Sequence, residues 1–276
     1  MTTLVDKVRD DIVERLQADQ LTLPTLPEIA VRVRAVAEDP ESTIVRLTTV
    51  ISQDTAVAAR ILKVANSPLF RATQEIRDLH HAISRLGMDY TSNLAIGLAM
   101  EQMFQATSDI IDERMRRNWH ITTQVALYAA KLSERCEVSE DEATLAALLH
   151  RIGVLPILTY AEESEHLQLD GIHLDKLIGH LHARLGQVIL ERWGFPLELI
   201  TVPETYRDLT KDLGTVTHAD LVTVANMLLF ADKQNYFGRT DWRTTPAVAR
   251  LDLPTDRRDH VVQSIHQAVA DNQGLF

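Results

Sequence analysis

His150 and Arg151 stand side by side in the run Leu148-Leu149-His150-Arg151-Ile152-Gly153, and the two side chains favour opposite chemistries. A neutral imidazole offers a lone pair to a transition metal. A guanidinium stays protonated and has no acceptor to offer. Metal-assisted phosphoester hydrolysis surrounds its cation with neutral or anionic lone-pair donors, so an arginine here is close to incompatible with a metal. Other reactive groups give weaker signals. Glu162-Glu163-Ser164-Glu165, with His166 and His173 nearby, reads as a solvated loop before it reads as a metal site. Cys136 follows Arg135, but no base or motif beside it marks a nucleophile, and an inert thiol is the simpler assignment. Asp54 reads as a helix cap rather than a phosphoacceptor, because the parallel βαβ pattern of a receiver domain is absent.

The elements that must position these residues are helical, since the apolar spacing follows a helical period nearly throughout. Ile29, Val33, Val36 and Ala37 lie on one face after Pro27, and Asp39-Pro40 ends that helix. Asp54 caps the next, with Val57, Ile61, Val64 and Ala65 on one face, and Asn66-Ser67-Pro68 stops it. A further helix ends near Gly87, and residues 91–104 are apolar almost all round, the mark of a buried helix. Helices are expected near 118–135, 140–151, 173–192, 217–232 and 256–271. In the segment 173–192, Leu174, Leu177, Ile178, Leu181, Leu185, Val188 and Ile189 form an unbroken stripe. His182 sits on its edge and His180 on the polar face. The polar stretch Ser108 to Arg117 is the expected boundary between two all-helical lobes, roughly 1–110 and 111–276.

Composition sets the outer limits. The chain has 276 residues, 45% hydrophobic and 24% charged, enough for substantial cores in an ordinary globular protein. Its net charge of −11 argues against broad nucleic-acid binding, although it leaves room for a local basic groove. A single cysteine excludes an intramolecular disulfide and suits a reducing compartment. With no secretory signal and no apolar run expected to span a bilayer, the expectation is a cytoplasmic protein with no membrane partner.

Two sets of residues carry a family resemblance. The first comprises Leu23-Pro24-Thr25-Leu26-Pro27-Glu28-Ile29-Ala30, Gln53-Asp54, Ala58 to Ser67, and Ile76 to Gly87. The second comprises Trp119-His120, Leu148 to Gly153, and His182 through Leu185-Gly186 to Glu191-Arg192-Trp193-Gly194-Phe195-Pro196. In order and spacing they resemble HDOD domains, the HD-related output domains, over about residues 20–232. The resemblance implies an all-α fold, with a helical N-terminal lobe packed on an HD-like helical bundle. It also implies a bacterial signalling module acting through protein contacts, with a response regulator or a cyclic-dinucleotide enzyme among the candidate partners. No second signalling domain accompanies it in this sequence, so the expected input is a separate partner or a ligand.

Carried over residue by residue, the resemblance implies a degenerate site. His120 matches the first metal-binding histidine of HD phosphohydrolases and His150 the histidine of the HD pair, whose aspartate is replaced by Arg151. His182 matches the histidine of the next helix, Tyr206 and Arg207 stand where active relatives have paired histidines, and Asn226 takes the place of the late aspartate. The expectation is no catalysis, no cofactor and no metal. Were one ion held, it would be by His120, His150 and His182. Arg151 is expected to pair with a carboxylate and plug the old cavity, with anion binding as the alternative. Two rival functions remain open: a metal-dependent phosphohydrolase acting on a nucleotide or cyclic dinucleotide, and a sensor that binds a nucleotide without turnover.

Overall fold

The computed structural model describes residues 4–70, 75–163, 171–212 and 214–273, and among these every regular element is a helix. Six helices build the N-terminal part: α1 (Leu4–Gln17), α2 (Glu28–Ala37), α3 (Ile44–Ile51), α4 (Thr55–Ala65), α5 (Leu79–Leu86) and α6 (Met88–Ala99). Then follow α7 (Asp109–Ser133), α8 (Glu140–Leu149), α9 (Val154–Glu162) and α10 (Gly171–Arg192). The chain closes with the short α11 (Leu197–Ile200) and α12 (Val202–Thr205), then α13 (His218–Leu229), α14 (Pro246–Arg250) and α15 (His260–Ala270). The all-α expectation holds.

Local chemistry explains where the helices start. The Asp54 carboxylate accepts from the amides of Ala56 and Val57, both at 3.0 Å, so it caps α4 as its spacing implies. Thr217 and Asp220 form a reciprocal capping box that opens α13. Asp220 also holds Arg250 in a buried ion pair at 2.5 Å, tying α14 to the start of α13. The Asn66 side chain both donates to the Ile76 carbonyl and accepts from its amide, at 2.8 Å each, which closes the connection from α4 towards α5.

The core is one continuous cluster running from Val5 to Val269, with the α7–α8 pair at its centre and α6 and α13 packed on it. Two contacts join the family's separated motifs. Trp193 Nε1 donates to the Pro24 carbonyl at 3.1 Å, and Arg34 donates to the Trp193 carbonyl at 2.6 Å while lying over the Phe195 ring. The Leu23-Pro24 opening and the Trp193–Pro196 segment are therefore two sides of one interface.

Two stretches differ in detail from their sequence reading. The stretch Ser108 to Arg117, expected as a boundary, is almost wholly helical, because α7 begins at Asp109 and runs through it. Its polarity reflects a helix end that faces water and a cleft. One stretch, Glu140–Glu162, does have the length and a mean hydropathy of 1.4 expected of a bilayer-crossing segment. It is broken at residues 150–153 and 83% of its most apolar 18-residue window is buried inside the fold, so its apolarity belongs to the core. Ser164, Glu165 and His166 of the acidic segment lie outside the described residues.

Candidate functional site

The site begins with the turn between α8 and α9. His150 ends α8, and Gly153 brings the chain against α10: a Cβ there would stand 2.0 Å from the His182 carbonyl oxygen and 2.3 Å from the Gly186 amide. Only a glycine permits this approach. It places His150 and Arg151 beside His182, at the edge of a cleft of about 390 Å³.

Five of the seven residues singled out in the sequence line this cleft: Arg151, His182, Tyr206, Arg207 and Asn226. His150 lies behind them, fully buried, its ring edge-on to Tyr206 with centroids 4.9 Å apart. His120 does not arrive. The cleft-facing residues of α7 are Arg114, Arg117, Asn118 and Ile121, which share one helical stripe, whereas His120 falls off it and is exposed. The carry-over of His120 is corrected accordingly, and the position facing the cleft is Ile121.

A chain of hydrogen bonds fixes the protonation pattern. His182 Nδ1–H donates to the Ile178 carbonyl at 2.5 Å, which leaves Nε2 to accept from the Tyr206 hydroxyl at 2.7 Å. The Arg151 guanidinium lies near the Tyr206 hydroxyl, and Thr223 holds the Tyr206 backbone carbonyl at 2.9 Å. His150 Nδ1–H donates to the Ala147 carbonyl at 2.5 Å, and its buried Nε2 has no partner. Burial first, and then the charge of Arg151, push both imidazoles down to a pKa of about 3, so both are neutral at physiological pH. Burial raises the Tyr206 phenol, which stays protonated.

Arg151 is half-buried, and its Nε donates to Asn118 Oδ1 at 2.6 Å. The expected carboxylate partner is not there, since among the described residues no ion pair reaches this guanidinium. Asn226 turns its amide onto the Val222 carbonyl at 2.8 Å. The one acidic residue lining the cleft among the described residues, Asp175, pairs with Arg114 at 2.6 Å.

This donor set does not fit a metal. One imidazole nitrogen is occupied by Tyr206 and the other faces a cationic neighbourhood. Among the described residues no three His, Cys, Asp or Glu side chains converge as a coordination sphere requires. What the cleft offers instead is guanidinium groups. Among the described residues, four arginines (114, 117, 151 and 207) line it against one aspartate. Arg207 is braced by the Gly179 carbonyl at 2.7 Å and lies 5.3 Å from the centre of the Tyr236 ring. Tyr206 stacks on Phe237, which stacks on Phe230, making an aromatic wall. Arg257 secures the segment carrying that wall through the carbonyls of Ala231, Gly238 and Thr240. Sequence reading missed Arg114, Arg117, Asn118, Tyr236 and Phe237. The available signal was the i, i+3, i+4 spacing of the first three, hidden in a stretch read as a boundary.

The helical architecture and the histidine-bearing turn define a protein of the HD-like helical class. Residues 23–208 match the HDOD domain, and the chain belongs to that family. A crystal structure of a candidate metal-dependent phosphohydrolase from Shewanella amazonensis SB2B is 29% identical to it and superposes with a TM-score of 0.84, over 98% of this chain and 99% of that one. An HDOD domain protein of unknown function from Geobacter sulfurreducens is 20% identical with a TM-score of 0.65, over 98% and 99% of the two chains, and shares the fold. A candidate signal transduction protein from Marinobacter aquaeolei VT8 is 22% identical with a TM-score of 0.63, over 99% of this chain and 65% of that one. An uncharacterized protein of Treponema pallidum is 24% identical over 244 residues, 79% of this chain. The chain spans 45% of the length of that curated relative.

Proposed function

We propose that this chain is a non-catalytic signal-transduction module, bacterial and cytoplasmic, that acts through contacts with a signalling partner such as a response regulator or a cyclic-dinucleotide enzyme. The observation that supports it most is the position of Arg151. In the turn that would present a bridging carboxylate, a guanidinium bonds to Asn118 beside the Tyr206 hydroxyl instead. In this reading His150, Arg151, His182, Tyr206, Arg207 and Asn226 are the remains of a metal-phosphohydrolase site that no longer assembles two ions. Two-metal hydrolysis needs both ions about 3.5–4 Å apart around the reacting phosphorus, and two buried neutral histidines cannot supply that.

A turnover assay tests the proposal. Nucleoside phosphates and cyclic dinucleotides are incubated with the protein and Mn²⁺, Mg²⁺ or Zn²⁺, beside a His150→Ala, His182→Ala control that exposes contaminating phosphatase. No turnover above that control is expected. The likeness to the Shewanella candidate phosphohydrolase favours the rival enzymatic reading, which metal-dependent turnover lost in the control would establish.

A further inference from the structure

We infer that the cleft is a metal-independent binding site for a small phosphate monoester carrying a flat ring, gripped directly by guanidinium groups. The inference builds on the disabled-site reading, because the charge that a metal would have supplied is supplied here by arginine.

The electrostatic contrast comes first. The chain carries a net charge of −11, yet among the described residues the charged ones lining the cleft are four arginines and one aspartate. Among the described residues only Arg114 is paired with a carboxylate. Arg117 and Arg151 both line the cleft, and guanidinium groups match phosphate oxygens. Neutral His182 and the Tyr206 phenol add no negative charge to repel an anion.

A second observation concerns the floor of the cleft. Asn118 lines the cleft, is only 4% exposed, and uses its oxygen to accept from Arg151, while its Nδ2 has no hydrogen-bond partner. A buried amide donor left unpaired costs about 1–3 kcal/mol, and this one lies just beneath the cleft surface, out of contact with solvent. The groups unspent in this part of the cleft are donors, which selects an acceptor-rich ligand. The other end is aromatic, with Tyr236 and Phe237 lining it and Tyr236 48% exposed. A flat ring on the phosphate would rest there. The volume of about 390 Å³ falls in the usual range for small-molecule sites.

The test is isothermal titration of the full chain in EDTA buffer with four probes: adenosine 5′-monophosphate, guanosine 5′-monophosphate, adenosine and inorganic phosphate. At least one monophosphate should bind without metal, more tightly than inorganic phosphate, while adenosine should not bind. Binding should weaken with added NaCl, as an ionic contact at a partly open site must. Arg117→Ala, an exposed position whose loss should leave the melt unchanged, should weaken the monophosphate about tenfold or more. Arg151→Gln should do the same. The inference falls if neither monophosphate binds the folded wild-type protein, if binding requires added metal, or if Arg117→Ala binds as well as wild type. Phosphate binding as tightly as the monophosphates would remove the ring. Metal-dependent hydrolysis would overturn the non-catalytic reading instead, so the two claims fail on different readouts.

Discussion

Burial fixes the protonation of both histidines behind the cleft, and that makes stability depend on pH. Each is held near a pKa of about 3 in the fold, against about 6.5 in an unfolded chain. Between those values the unfolded state binds more protons, so stability rises with pH. It is fully present above about pH 6.5 and is lost as the pH falls towards 3. His266, lowered by partial burial, acts in the same direction. Equilibrium denaturation from pH 7 to 5 should therefore show a decline that is shallower in His182→Gln, and an equal slope in both proteins would contradict the neutral assignment. Arg151 makes a different prediction. A guanidinium plugging a cavity against a carboxylate would cost about 3–5 kcal/mol to remove. Bonded among the described residues to Asn118, near Tyr206 and beside three other arginines, it should cost about 1 kcal/mol when replaced by alanine, since lost hydrogen bonding is offset by relieved repulsion. A larger loss in urea denaturation would restore the plug. Arg151→Asp should bind at most one metal and gain no turnover, because Asn226 and Tyr206 still occupy the other ligand positions.

The α8–α9 turn and the stripe on α7 decide what reaches the cleft. Gly153→Ala would drive a Cβ into the His182 carbonyl, which is helix backbone and cannot yield. It should destabilise the protein by about 3 kcal/mol or more, read as a lowered melting temperature, and an unchanged melt would contradict the close approach. Helices whose apolar stripe is wide were legible in the sequence, and so were their caps. Asp54, the stripe of α10 and the burial of His182 over exposed His180 all follow from period and chemistry. α1 and α3 went unread, as did the first turns of α7, where Asp109, Asp112, Glu113, Arg114, Arg116 and Arg117 mask the period. That mask also explains the error over His120. Resemblance aligned a histidine, but rotation of about 100° per residue decides which side chain faces the cleft, and one position of slip exchanges His120 for Ile121.

At the scale of the whole molecule, the two-lobe division is a proposal about packing units rather than independent folding units. α1 packs on α10 and α6 on α8, so both halves contribute to one core. A single calorimetric transition is expected, and two resolved transitions would show separable lobes. The same continuity holds the cleft rigidly, with the Trp193–Pro24 and Arg34–Trp193 contacts bracing the far end of α10. The central claim is that arginine has displaced metal from this site. It is tested most directly by elemental analysis of protein purified without chelators, alongside His150→Ala and His182→Ala. Transition-metal content far below one ion per chain, indifferent to either substitution, is expected. One or two ions per chain, lost when His150 or His182 is removed, would contradict it.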